Sequence, residues 1–210
     1  PEPGKSWGRE NRGDTIDKAW GVEGTSSITQ PCVLAYALSR VLAVSPDLEF
    51  LAKVFPKVRA HFEYLHSERS VDSHYPLIAI INPDESGEDN SPRFDGSLSL
   101  PSQHTANTHL DSRINLMKQY AACNFQFDDC MENYFSVIDV PFNILYAEDL
   151  KHLATLAREL GDEAEAAMLS KRAKDVEKAL RTYLWREDKF KSFDTINKHY
   201  IEVSTWAVFM

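Results

Sequence analysis

Apolar residues recur at spacings of three and four along much of this chain, the periodicity of helices with one buried face. The segment "PCVLAYALSRVLAV" (31–44) is apolar on most faces, so the pattern predicts a buried helix with Pro31 in its first turn. A second helix is expected near 47–67, after Ser45-Pro46, with Leu48, Leu51, Val54, Phe55, Val58 and Phe62 on one stripe and a kink at Pro56. "PLIAII" (76–81) is a short apolar run. The stretch 96–107 is rich in Ser, Pro, Thr and Asn and reads as a loop; 109–122 reads as a helix, and 124–137 is ambiguous.

The clearest pair follows. Pro141 starts a helix after Asp139, with Phe142, Leu145, Tyr146, Leu150, Leu153, Ala157 and Leu160 on its apolar face, and Gly161 stops it. Asp162 caps the next helix, with Glu165 completing a capping box, and that helix runs to about Leu184. "WREDKFKSFDTI" alternates like a short hairpin, and "STWAVFM" begins another helix. Residues 1–25 are polar and Gly-rich, with Trp7 and Trp20 as anchors, and are expected to be irregular. Antiparallel helix pairs with short turns at one end and long loops at the other suit a helical solenoid or an (α/α)6 barrel. No 34-residue self-similarity is present, which disfavours the solenoid.

Composition narrows the function. The 210 residues carry a net charge of -9, which offers no basic footprint for nucleic acid or an anionic membrane surface. No 18-residue apolar run marks a membrane segment and no signal-peptide pattern opens the chain. The start at Pro1 and the end inside an apolar run read as a piece of a longer polypeptide. Cys32, Cys123 and Cys130 lack metal spacing, and the expectation is three free thiols in a reducing, cytoplasmic compartment.

The chemistry concentrates in "NPDESGEDNSPRFDGSL" (82–98), which holds Asp84, Glu85, Glu88, Asp89 and Asp95 with a single Arg93. Carboxylates crowded in a low-dielectric cleft raise one another's pKa, and Arg93 could hold one of them ionised. An acid beside a clamped carboxylate is half of a glycosidase site; the plainer alternative is a solvated acidic turn. His104, His109 and Asp111 lack metal-ligand spacing, so no metal or cofactor is expected. The acidic loop lacks the residue order of a calcium loop, and Ser86 lacks a nucleophile elbow. Tyr183, Trp185 and Trp206 read as core or rim aromatics.

"ESGEDNSPRFD" resembles the E-S-G-x-D-N-S-P-R-[WF]-D signature of glycoside hydrolase family 63, nearest in pattern to mannosylglycerate and glucosylglycerate hydrolases; trehalases carry a divergent form. "SSITQP" (26–31), "FPKVRAHFEYLHSER", "VPFNILYAEDLKHLATLARELG" and "LWREDKFKSFD" resemble further segments of that family, so the similarity covers about 26–210. The resemblance implies part of an all-α (α/α)6 barrel over 26–210 that hydrolyses an α-glucoside or α-mannoside with inversion, the substrate being a small carbohydrate. It places the general acid on Asp89, and Glu85, Arg93 and Gln30 as substrate-facing neighbours. The general base would lie beyond Met210, so the chain alone holds half an active site and is expected to be inactive. The family often has Trp where Asp84 stands, a second proline at Cys32 and Trp at Phe94. A non-catalytic helical scaffold, a sugar-binding toroid or another toroid enzyme such as a trehalase or sugar epimerase are the alternatives.

Overall fold

A computed structural model describes residues 28–72, 75–123, 133–203, 205 and 206. Five α-helices are formed among them. The residues group into two compact units, one drawn from 28–30, 80–137 and 193–205 and the other from 31–79 and 138–192.

The second of these units is built on helices. Helix α1 (Leu34–Val44) and helix α2 (Leu48–Glu68) are joined by a short turn. The α2 N-terminus is capped locally: the Asp47 carboxylate accepts the Phe50 N–H at 2.9 Å. Leu51, Phe55, Val58, Phe62 and Leu65 are buried, whereas Leu48 at the first turn is exposed. The helix is unbroken through Pro56. Strand β1 (Ser70–Asp72) pairs antiparallel with β2 (Tyr75–Ile80), which carries the apolar run; Leu77, Ile78, Ala79 and Ile80 are buried.

Helices α4 (Val140–Glu159) and α5 (Glu163–Ala179) form a helical hairpin packed along its length. Asp139 caps α4 by accepting the Phe142 N–H, and Asp162 caps α5 by accepting the Glu165 N–H at 3.0 Å. Between them Gly161 takes the left-handed conformation, φ 80°, that a Cβ would strain. Only one half of the expected capping box is used in this way, because the Glu165 carboxylate pairs instead with Arg59 at 2.7 Å. A π-turn over Leu180–Leu184 continues α5, and β4 (Trp185–Arg186) pairs with β5 (Lys189–Phe190) in the expected hairpin. Glu187 and Asp188, both at positive φ, make its two-residue turn.

Asn143 and Asp149 make two of the contacts that span long sequence separations in this unit. The buried Asn143 side chain accepts the Ile78 N–H at 2.7 Å and donates to the Ile78 carbonyl at 2.8 Å, so it serves β2 as a neighbouring strand would. The Asp149 carboxylate accepts the N–H groups of Ala35 at 3.0 Å and Tyr36 at 2.6 Å. Those are orphan donors of the α1 N-terminus, whose own N-cap Val33 has no side-chain acceptor. Burial drives the Asp149 pKa up, and these backbone donors oppose the shift by favouring the charged form.

The sequence expectation for α1 needs correction. Ala35, Leu38 and Leu42 are buried, but Val33, Leu34, Tyr36, Val41 and Val44 are exposed, because the helix packs mainly along the one side that faces α4. The thiol expectation is corrected as well. Cys32 is buried and in no disulfide, but Cys123 is disulfide-bonded, its partner lying outside the described residues. A disulfide removes the support that three free thiols lent to a reducing compartment. Residues 1–25, with Trp7 and Trp20, Cys130 and most of "STWAVFM" also lie outside the described residues. No helix among the described residues is long and apolar enough to cross a membrane.

The other unit contains 82–98, helix α3 (Ala106–Ala122) and the hairpin of β6 (Phe193–Asp194) with β7 (His199–Tyr200). Thr105 caps α3, accepting the Thr108 N–H at 3.2 Å. Tyr120 is fully buried on α3, its hydroxyl donating to the Ile81 and Phe135 carbonyls. A two-residue strand, β3 (Val137–Ile138), completes the short strands, and the remainder of 124–137 is described only from Asn133.

Removing the Asp149 carboxylate strands two helix-terminal donors, one of them buried. Asp149→Ala is expected to destabilise the protein by about 3 kcal/mol, and Asp149→Asn by less because one oxygen acceptor remains. The shift in the chemical denaturation midpoint measures both.

Candidate active site

The acidic stretch is a folded turn rather than a run of solvated charge. Two 3-10 turns, Pro83–Ser86 and Pro92–Phe94, each begin on a proline whose fixed φ suits the first helical position. Gly87 closes the first with φ 72°, the reason a glycine sits in "ESG". The Ser86 hydroxyl donates to the Pro83 carbonyl at 2.7 Å and accepts the Glu88 N–H at 3.0 Å, so it is used in shaping the turn.

Each carboxylate has its own setting. Glu85 is fully buried: one oxygen accepts the Ile81 N–H at 2.7 Å, and the other accepts the Thr29 N–H at 2.6 Å and the Thr29 hydroxyl at 2.8 Å. The carboxylate thus ties Thr29 and the exit from β2 to the first turn of the signature. Glu88 pairs with the buried Arg93, whose guanidinium also lies 4.4 Å from the centre of the Phe94 ring. Asp84 pairs with Arg113 of α3. Asp95 stands 3.6 Å from His104 Nε2 and 3.7 Å from His109 Nε2. Asp89 has Arg113 at 3.4 Å from its Oδ2.

Exposure separates these groups. The side chain of Asp89 is 48% exposed, against 30% for Asp95, 20% for Asp84 and 14% for Glu88. Asp89 is the most open carboxylate of a turn whose other acids are buried or engaged. Among the described residues no group of three or more His, Cys, Asp or Glu could hold a metal ion.

Residues 5–210 match the family described as the mannosylglycerate hydrolase MGH1-like glycoside hydrolase domain. The chain belongs to this glycoside hydrolase family. It is 32% identical over 209 residues to the mannosylglycerate hydrolase of Rubrobacter radiotolerans, covering 85% of this chain and 46% of that protein. It is 28% identical over 181 residues to the mannosylglycerate hydrolase of Thermus thermophilus, covering 73% of this chain and 41% of that protein. A crystal structure of a GH63 mannosylglycerate hydrolase from Thermus thermophilus, in complex with Tris and D-glycerate, aligns with TM-score 0.81 and 26% identity. That alignment covers 91% of this chain and 52% of the crystallised one. The chain therefore spans about half the length of the relatives it matches, and its helices supply about half of their (α/α)6 barrel.

Within this glycoside hydrolase domain, the residues expected at the site take distinct positions. Asp89 and Arg93 lie on one turn, but Arg93 holds Glu88 rather than a carboxylate facing outward. Glu85 is packed inside the unit as a tie, with no exposed surface to offer a sugar hydroxyl. Gln30 is exposed, next to the Thr29 that Glu85 binds. Phe94 is fully buried, 5.9 Å from the Phe135 ring, so this position serves the core rather than a sugar platform. Trp185 and Trp206 are exposed.

The residue that sequence reasoning missed is Arg113. It is buried, bridges Asp84 and Asp89, and donates to Asn90 Oδ1 at 3.3 Å. One signal was available: a charge at Asp84 calls for a counter-charge, and Arg113 is the only arginine of α3. His109, considered in the sequence only as a metal ligand, has a different setting. It is buried on α3, and desolvation lowers its pKa, with the Asp95 charge opposing that shift.

Two outcomes follow from this geometry. Glu85→Ala leaves the Ile81 and Thr29 N–H groups without their acceptor; a loss of about 3 kcal/mol is expected, with faster limited proteolysis within 82–98. For His109 the folded pKa lies below the unfolded value of 6.5, so below that value the unfolded chain binds more protons. Stability should fall as pH drops from about 7.5 to about 5.5, and His109→Gln should flatten the fall seen in denaturation midpoints. His61 and His66, lowered chiefly by burial, act with the same sign and account for the remainder.

Proposed function

We propose that the full-length protein hydrolyses a mannosylglycerate-type α-glycoside with inversion, and that Asp89 is its proton donor. The observation that carries this reading is the contrast on the signature turn. One carboxylate is left open to a ligand while Glu85, Glu88 and Asp84 are spent on holding the turn. A donor must reach the glycosidic oxygen from a fixed position, and a turn pinned at both ends supplies that. The substrate class is supported by relatives named mannosylglycerate hydrolase and by a related structure that holds D-glycerate.

Inversion needs a second carboxylate about 6.5–9.5 Å from the donor, with a water between them. We assign that base to the part of the relatives' length that this chain does not span. Gln30, exposed beside the pinned Thr29, is placed as a sugar contact, and Arg93 as a support of the turn. No metal or cofactor takes part in this scheme, because protonation of the leaving oxygen and activation of water both fall to carboxyl groups.

The test uses the full-length protein with α-mannosylglycerate. Asp89→Asn is expected to lower kcat by at least about a thousandfold with the fold retained by circular dichroism. Proton NMR of the first product should show β-mannose before mutarotation. Wild-type-like turnover by Asp89→Asn would overturn the donor assignment, and α-mannose as the first product would overturn inversion.

A further inference from the structure

Arg113 comes from α3, whereas Asp84, Asp89 and Asn90 come from the signature turn, so this one side chain links two elements of the unit. Its guanidinium is buried, and a buried cation is tolerated only where carboxylates and hydrogen bonds replace its water. Asp84 pairs with it directly, Asn90 Oδ1 accepts from its second amino group at 3.3 Å, and Asp89 Oδ2 lies at 3.4 Å. The attachment continues along the backbone. Asn82 Nδ2 donates to the Arg113 carbonyl at 3.2 Å, and the Asp84 N–H donates to Asn82 Oδ1 at 3.0 Å. The turn and α3 are thus linked through both side chain and backbone.

We propose that Arg113 is a positioning residue for the proton donor, and that Asp84 both holds Arg113 and neutralises it. The proposal rests on the reading of Asp89 as the donor. Contact with Oδ2 favours one orientation of the Asp89 carboxyl group and leaves Oδ1 to carry the proton to the glycosidic oxygen. A bare guanidinium beside a carboxyl group would favour its ionised form, which cannot donate. With Asp84 paired to the same guanidinium, Asp89 faces a matched ion pair instead. In the reaction water forms a new bond to the anomeric carbon and gives its proton to the general base as the old C–O bond breaks; the electron pair of that bond leaves with the departing oxygen, which takes the Asp89 proton, and Arg113 remains charged throughout.

The role can be read from leaving-group dependence in the full-length protein. Glycerate departs poorly without protonation, whereas fluoride departs from α-mannosyl fluoride with far less need of an acid. Arg113→Gln and Asp84→Asn are expected to lower kcat on α-mannosylglycerate by about 10- to 100-fold, with KM within about threefold and a loss on the fluoride of no more than about threefold. Arg113→Lys should recover part of the loss, since a point charge replaces the planar fork. Equal losses on both substrates would reduce Arg113 to a structural tie, and undiminished kcat in both variants would remove the role altogether. If Arg113→Gln does not fold, Asp84→Asn, which retains the cation, decides by the same ratio. Asp89→Asn separates the two readings. If it loses mannosylglycerate hydrolysis selectively while the Arg113 and Asp84 variants do not, the donor stands and the positioning falls. If it turns over mannosylglycerate like the wild type, or the wild type hydrolyses neither substrate, the functional reading falls and this proposal falls with it.

Discussion

A carboxylate with no exposed surface organises the signature turn. Glu85 carries its charge into the interior of its unit, where an unpaired ion would cost several kcal/mol even after the surroundings relax. It is accommodated because three short donors meet its two oxygens: the Ile81 N–H, the Thr29 N–H and the Thr29 hydroxyl. Hydrogen bonds to a charged acceptor are roughly twice as strong as neutral ones, and they fix direction as well as distance. A strand exit, a segment more than fifty residues upstream and the start of the turn are therefore joined at one group. The left-handed Gly87 and the serine bridge of Ser86 follow from that anchor, since the chain must reverse immediately after it.

The remaining carboxylates illustrate how a protein relieves charge crowding. The acidic run read alone suggests acids that raise one another's pKa. In the structure Glu88 has Arg93 and Asp84 has Arg113 as a partner, and Asp95 stands near two histidines. Coulomb attraction at contact distance outweighs repulsion from acids farther away, because the interaction weakens with separation and is screened where water enters. Asp89 is the member whose partner lies farther off and whose side chain stays half open. The run divides into supporting groups and one accessible group, and burial and partner distance make that division.

Local rules carried most of the helical framework. Asp139, Gly161 and Asp162 announce their helix ends because capping depends on residues within one turn, and the Glu187–Asp188 turn follows from its flanking alternation. What stayed illegible is tertiary. The α1 N-terminus is capped by Asp149, more than a hundred residues away, and β2 is matched by an asparagine side chain of a helix. No periodicity encodes such partners. The exposed apolar side of α1 shows the converse limit: hydrophobicity records a preference for burial and cannot say which side of a helix meets a neighbour. At the site, the signature pointed to Asp89 through resemblance. The true settings of Glu85 and Arg93 required coordinates, because a carboxylate that binds a sugar and one that binds backbone amides look alike in sequence.

Position 84 joins these strands of argument. An aromatic residue there, as the family often has, fills space by shape and tolerates small displacements of its neighbours. The Asp84–Arg113 pair is less forgiving, since a buried guanidinium that loses its carboxylate keeps its desolvation cost without the compensating attraction. Burial already works against that charge, lowering the Arg113 pKa through desolvation. The ion pair therefore commits the chain to a defined arrangement between α3 and the turn. Asp84, the point at which the signature departs from the pattern it resembles, is matched in space by a second charge, Arg113.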